Sequence, residues 1–231
     1  TGEISAEDIH KKCKKILMAK SWMNLDDFQP IDINIIDDSL TTDKTREINY
    51  GLIKSSVTLL QNYDNIIPLK RLDTLKIASL SIGKQFHSFQ ESLNLYAKVD
   101  TFSIDEGADI KEQALILDKL SDYNLVLVSV HKSNANPWKD FKISKNTDIF
   151  LQTIALQSKV VLSVFANPYS INSFLFTDNF DAMILGYQNS SLAQHIVAQS
   201  IFGGLSINGN IPVSTKHFSI NSGYTTDSIR L

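Results

Sequence analysis

Short apolar runs rich in valine, isoleucine and leucine alternate with helical patterns between residues 76 and 202. A strand that is apolar on both faces has to be covered by helices on both sides, so this alternation is typical of a mostly parallel sheet in an α/β fold. The sequence therefore predicts a three-layer α/β/α sandwich. The predicted strands are residues 76–82, 98–102, 125–130, 160–165 and 182–186, with a terminal strand at 211–214.

The segments between these strands carry apolar residues at helical spacing. They predict helices over residues 86–95, 110–120, 146–157 and 190–202, and a short helix after Pro168. Each of these helices is expected to lie on one face of the sheet, because a right-handed crossover returns the chain to a parallel neighbouring strand.

The first 42 residues follow another pattern. Residues 5–22 predict an amphipathic helix, and residues 24–42, which contain Pro30 and many aspartates, predict an extended connector. A second helix is expected from residue 43 to about residue 61. We therefore predict a linker segment over residues 1–42 and one α/β domain over residues 43–231.

Charge and composition exclude several classes of protein. The formal charge is -3, from 22 basic and 25 acidic residues spread along the chain, so no basic stripe is available for nucleic acid. No apolar run reaches the roughly 18 residues that a membrane-spanning helix needs. The single cysteine, Cys13, cannot form an internal disulfide, and its helical spacing to apolar neighbours predicts a packing role.

Motifs for common chemistries are missing. The loop after the first predicted strand has one glycine, Gly83, where nucleotide-binding loops need two or three, so no cofactor is predicted. The chain has no G-x-S-x-G elbow, and its histidines lack the spacing of a metal site. The acidic cluster of Asp105, Glu106 and Asp109 precedes a helix, where carboxylates normally complement the helix dipole. We therefore predict neither a catalytic residue nor a metal ligand in this chain.

The most varied polar stretch after a predicted strand is the segment HKSNANPWKD at residues 131–140. In a parallel sheet, ligands bind at the carboxyl ends of the strands, which is where this segment begins. Aromatic faces beside amide and basic donors suit carbohydrates, although such residues also occur in solvated loops that close the end of a sheet. The candidate substrate-binding residues are His131, Lys132, Asn134 and Trp138.

Several segments, in a fixed order, resemble the domain that follows the catalytic barrel in glycoside hydrolase family 3. The opening segments GEISAEDI (2–9) and KILMAK (15–20) are similar to the end of the barrel and the helix that leaves it. The segments SVTLLQN (56–62) and NIIPL (65–69), and later FGG (202–204) and NGNIPV (208–213), are similar to the family's domain itself. Three further segments resemble the bacterial β-N-acetylhexosaminidase branch: VSVHKS (128–133), FANPY (165–169) and GYQN (186–189).

This resemblance implies an accessory domain with a flavodoxin-like sheet, preceded by a helical linker, that completes the cleft of a barrel on the same polypeptide. The barrel supplies the aspartate nucleophile in the family, so the isolated chain is expected to be inactive. The implied substrates are terminal β-linked sugars, with β-N-acetylglucosaminides ahead of β-glucosides, and the implied location of the parent protein is periplasmic or secreted. The segment at residues 221–231 resembles the family's domain end, after which some related bacterial chains continue into a β-lactamase-like module.

Two other interpretations stay open at this point. The chain could be a free-standing flavodoxin-like binding module, against which the absence of a phosphate-binding loop counts. It could also be an independent hydrolase, against which the absence of a catalytic constellation counts.

Overall fold

The computed structural model describes residues 4–30, 32–83, 87–133 and 141–229, which form two compact units divided in the sequence between residues 46 and 47. In the first unit, helix α1 (Ala6–Trp22) begins after Ser5, whose hydroxyl accepts a hydrogen bond from the Asp8 backbone N–H at 3.0 Å. No residue of α1 is buried, and its apolar side chains are more than half exposed at Ile9, Ile16 and Leu17.

The prediction of an extended connector over residues 24–42 is wrong in part. Its described residues include two 3₁₀ turns, Leu25–Asp27 and Ile33–Ile35, and the short helix α2 (Ile36–Leu40). A local bond favours the second turn, because the Asp32 carboxylate accepts from the Asn34 backbone N–H at 3.0 Å.

The second unit is built on a six-stranded sheet in the order β1-β6-β5-β4-β2-β3. All neighbouring pairs are parallel except β1 with β6, which is antiparallel. Without β1, the order is that of flavodoxin-like sheets. The strands are β1 (Thr58–Asn62), β2 (Ile77–Ile82), β3 (Val99–Ile104), β4 (Leu125–His131), β5 (Lys159–Phe165) and β6 (Ala182–Leu185). Five of the strands predicted from the sequence, now β2 to β6, are thus confirmed.

Two predictions about the ends of the domain are wrong. The helix expected over residues 43–61 is α3 (Asp43–Ser56), and the chain then forms β1, because burial against β6 outweighs local helix propensity. Residues 211–214 form no strand. Ile211 instead exchanges backbone hydrogen bonds with Asn221 and Ser222, and Pro212 has no N–H for a ladder.

Helices cover both faces of the sheet. Helices α3, α4 (His87–Leu93) and α7 (Ser191–Ile201) share one hydrophobic cluster, while α5 (Ile110–Leu120) and α6 (Lys145–Ala155) share the other. A 3₁₀ segment, Pro168–Ser173, replaces a helix between β5 and β6. Because strand side chains alternate, Leu125 and Leu127 of β4 enter the first cluster and Val126 and Val128 enter the second. The predicted three-layer sandwich is confirmed.

No helix in the described part of the chain combines the length and hydrophobicity that are needed to cross a bilayer.

The buried sheet should dominate stability. We expect Leu127→Ala, at a side chain with 0% exposure in the central strand β4, to lower the free energy of unfolding by about 2–5 kcal/mol, since it leaves a cavity between strand and helix. The matched change Leu156→Ala, at a side chain 84% exposed, should shift it by less than about 0.5 kcal/mol. Urea denaturation of both variants measures the difference, and equal losses would contradict this account of the core.

Candidate functional site

The carboxyl ends of β2, β3 and β4 meet at one edge of the sheet, where a cleft of about 1020 Å³ opens. The chain leaves β2 for α4 on one face and leaves β4 for α6 on the other, and this reversal between adjacent strands creates a crevice. The cleft is lined by residues that include Gly83, Asp105, Glu106, His131, Lys132 and Asn189.

His131 is the last residue of β4, although the sequence placed it at the start of the following loop. It pairs with Phe165 of β5, and the two rings stack with centroids 5.1 Å apart and an interplanar angle of 12°. Only 5% of His131 is exposed. Its side chain therefore belongs to the floor of the cleft and not to a solvated loop.

A chain of hydrogen bonds assigns the tautomer of His131. The Phe89 backbone N–H can only donate, so the Gln194 atom that it contacts at 3.1 Å is the acceptor Oε1. Gln194 Nε2 then donates to Asn189 Oδ1 at 2.9 Å. The same Oδ1 lies 2.8 Å from His131 Nδ1, which must therefore carry a proton and donate. In the neutral ring Nε2 is left as an acceptor, and the Ser129 hydroxyl donates to it at 2.9 Å.

Burial favours this neutral ring. Desolvation penalises the imidazolium and lowers the pKa of His131 below its ordinary value, while the hydrogen bond with Asn189 opposes the shift to a smaller extent. Both ring nitrogens are held by neighbouring side chains. The ring is consequently better placed to orient its neighbours than to exchange a proton with a ligand.

Two glycines allow the backbone to pack closely around this histidine. Gly83 has a φ of +106°, and a Cβ there would lie 2.8 Å from the His131 carbonyl oxygen. At Gly186 an added Cβ would lie 2.8 Å from the Phe165 ring that supports His131. A side chain at either position would strain the floor of the cleft.

The other side of the cleft is charged. Lys132 Nζ forms a half-buried ion pair with Glu106, whose Oε1 also accepts from the Ser144 backbone N–H at 3.4 Å. This pair joins the ends of β3 and β4 to the start of α6. Asp105 and Glu112 line the same cleft, so its described wall carries more negative than positive charge.

Residues near the acidic cluster have clear structural partners. Asp109 and Glu112 form a capping box at the start of α5, each side chain accepting from the backbone N–H of the other. The helix-capping interpretation thus holds for Asp109, whereas Glu106 pairs with Lys132 instead. Among the described residues, no group of three or more histidine, cysteine, aspartate or glutamate side chains could hold a metal ion.

The structure brings together two of the four predicted site residues, His131 and Lys132, at the edge of the sheet. Asn134 and Trp138 lie outside the described residues. Sequence reasoning missed Asn189 and Gln194. Two features of the sequence could have pointed to Asn189 as a site residue. It follows the strand predicted at residues 182–186, and it ends the segment GYQN that resembles the hexosaminidase branch.

The buried His131 should give stability a dependence on pH. A histidine whose pKa is lowered by folding binds fewer protons in the folded state, between that pKa and the ordinary value of about 6.5. The free energy of unfolding should therefore fall as the pH is lowered through this window. His131→Asn, whose Nδ2 can replace the Nδ1 donor, should remove this part of the slope.

Urea denaturation at several pH values measures the effect. His10→Asn, which removes an imidazole from the exposed surface of α1, is the matched control. Parallel curves for the wild type and His131→Asn would show that His131 is not the group responsible.

No protein-family model matches the chain, and no curated protein sequence matches it. Solved structures do match. A family 3 β-N-acetylglucosaminidase from Paenibacillus sp. str. FPU-7 superposes with a TM-score of 0.65 and 17% identity, over 90% of this chain and 40% of that one. A β-glucosidase from Listeria innocua superposes with a TM-score of 0.70 and 15% identity, over 95% of this chain and 33% of that one.

A fungal multi-domain family 3 β-N-acetylglucosaminidase also matches, with a TM-score of 0.66 and 17% identity, over 97% of this chain and 25% of its own. The chain thus spans between 25% and 40% of the length of these three enzymes. At this level of identity the likeness concerns the fold, which agrees with the resemblance seen in the sequence. The chain has the α/β-sandwich fold of a domain that occurs in family 3 glycoside hydrolases.

Proposed function

We propose that this chain is the accessory α/β domain of a family 3 glycoside hydrolase and completes the cleft of a catalytic barrel on the same polypeptide. One observation carries the proposal: 90% of the chain superposes on only 40% of a family 3 β-N-acetylglucosaminidase. The remaining part of such an enzyme has room for a separate catalytic domain. We further propose that the parent hydrolyses terminal β-linked sugars, with β-N-acetylglucosaminides as the first substrates to test.

The carboxylates of the cleft support a catalytic centre elsewhere. Glycoside hydrolysis needs one carboxyl group as acid and a second as nucleophile or base. Of the three carboxylates in the described wall, Glu106 is held by Lys132 and Glu112 by the backbone N–H of Asp109, the N-cap of α5, which leaves Asp105 without a second carboxylate to pair with. These contacts give both carboxylates structural roles, and a nucleophile supplied by another domain is consistent with them.

The first 42 residues fit a linker. Helix α1 leaves the apolar side chains of Ile9, Ile16 and Leu17 exposed, and a contiguous apolar surface is normally covered by a partner. A barrel on the same polypeptide would provide that cover. We therefore propose residues 1–42 as the connection between the barrel and the α/β domain of residues 43–231.

The 231-residue chain alone should not hydrolyse aryl β-N-acetylglucosaminides or aryl β-glucosides. The coding sequence upstream should encode a barrel with an aspartate nucleophile, and the sequence downstream shows whether a β-lactamase-like module follows. Steady turnover by the pure chain, abolished by one substitution within it, would contradict an accessory role. An upstream region without a barrel would favour the free-standing flavodoxin-like module, for which the sheet order is the supporting observation.

The segment at residues 131–140, which follows β4, should face the opening of the substrate cleft in the parent enzyme. In the complete polypeptide we expect Asn134→Ala and Trp138→Ala each to lower kcat/KM by the equivalent of about 1–3 kcal/mol, as for loss of a useful polar or stacking contact. We expect a loss of similar size from His131→Ala, because the buried ring orients its neighbours. Lys132, the fourth candidate substrate-binding residue, lies beside His131 in the same cleft. Steady-state kinetics measure the change, with thermal unfolding to confirm that each variant is folded. Unchanged kcat/KM in all three folded variants would make this segment purely structural.

A further inference from the structure

Only the oxygen of the Asn189 carboxamide is hydrogen-bonded to the described part of the protein. Its Oδ1 accepts two hydrogen bonds, from His131 Nδ1 at 2.8 Å and from Gln194 Nε2 at 2.9 Å. Its Nδ2, on the other branch of the carboxamide, has no hydrogen-bond partner among the residues that the structure describes. Asn189 is half-buried and lines the cleft. Two N–H donors are therefore left over at the wall of a cavity.

The carboxamide cannot reverse without a large loss. A flipped Asn189 would place its Nδ2 against the Nε2 donor of Gln194, which would break that hydrogen bond and set donor against donor. Gln194 cannot compensate by flipping, because its Oε1 accepts from the Phe89 backbone N–H. His131 is confined by its stacking on Phe165. The direction of Asn189 Nδ2 is thus imposed by a fixed backbone donor two side chains away.

We propose that Asn189 is a ligand-binding residue whose Nδ2 donates to an oxygen of a neutral sugar, and that His131 and Gln194 are positioning residues that hold it. This inference rests on the proposed function, since it takes the sugar from there. A neutral ligand fits the charges of the cleft. Its described wall carries Asp105, Glu106 and Glu112 against Lys132, which favours a neutral group over an anionic one, and sugar hydroxyls can donate to carboxylates and accept from an amide.

The sharpest test removes the Nδ2 donor and keeps the oxygen that accepts from His131 and Gln194. In the complete polypeptide, Asn189→Asp retains an oxygen acceptor for His131 and Gln194 but has no Nδ2, and we expect kcat/KM for an aryl β-N-acetylglucosaminide to fall about tenfold. Asn208→Ala, at an exposed asparagine outside this cleft, should leave kcat/KM unchanged. Thermal unfolding establishes that the variants are folded.

The positioning role of His131 has its own readout. His131→Leu should lower kcat/KM, and His131→Asn should restore most of it, because its Nδ2 can donate to Asn189 in place of Nδ1. If His131 acts through Asn189, the double variant His131→Leu/Asn189→Ala should lose no more than Asn189→Ala alone. Nitrogen chemical shifts of the 231-residue chain should also show a protonated Nδ1 and a bare Nε2 in His131 at neutral pH.

The outcomes separate the two proposals. A wild-type polypeptide that is inactive on both aryl β-N-acetylglucosaminides and aryl β-glucosides overturns the proposed function and the sugar assigned to Asn189 with it. An active wild type whose folded Asn189→Asp variant keeps its full kcat/KM overturns the role of Asn189 alone. Additive losses in the double variant, or the opposite tautomer of His131, would overturn the positioning role.

Discussion

The parallel hydrogen-bond ladder that joins β2, β4 and β5 is the constraint on which the rest of the structure depends. Its strands are buried on both faces, so their backbone N–H and C=O groups have no access to water and must pair with one another. Pairing in parallel brings the carboxyl ends to a single edge, and it requires crossover helices on the two faces. The cleft and the three-layer arrangement are thus consequences of the same ladder.

Because the floor of the cleft is buried, each of its polar side chains needs a hydrogen-bond partner within the protein. A buried polar group is costly unless it is hydrogen-bonded, and His131, Gln194 and Ser129 are all buried. Their hydrogen bonds link four parts of the chain: the end of β4, the loop after β6, the start of α7 and the start of α4. The hydrogen bonds that satisfy these side chains also orient Asn189. The same network therefore stabilises the buried floor of the cleft and directs the Nδ2 donor of Asn189 toward a ligand.

The predicted strands were recoverable because their patterns are strong. The run at residues 125–130 is apolar except for Ser129, and it is too short for most helices, so local pattern and tertiary environment agree. They disagree at residues 57–62. There an apolar face continues the helical pattern of α3, yet Leu59 and Leu60 are buried as part of β1 against β6. A strand whose partner lies more than a hundred residues away leaves little local signal.

The sequence by itself determined the α/β class, five of the six strands and the edge of the sheet where polar side chains collect, because these follow from hydrophobic periodicity and from the geometry of parallel strands. It also carried the ordered segments that resemble family 3 glycoside hydrolases. Only the tertiary structure decided which polar groups face one another. His131 and Asn189 are 58 residues apart, and their hydrogen bond exists because β4 and the loop after β6 reach the same sheet edge. Periodicity reports which face a residue occupies, whereas hydrogen bonding depends on distances that only the packed chain sets.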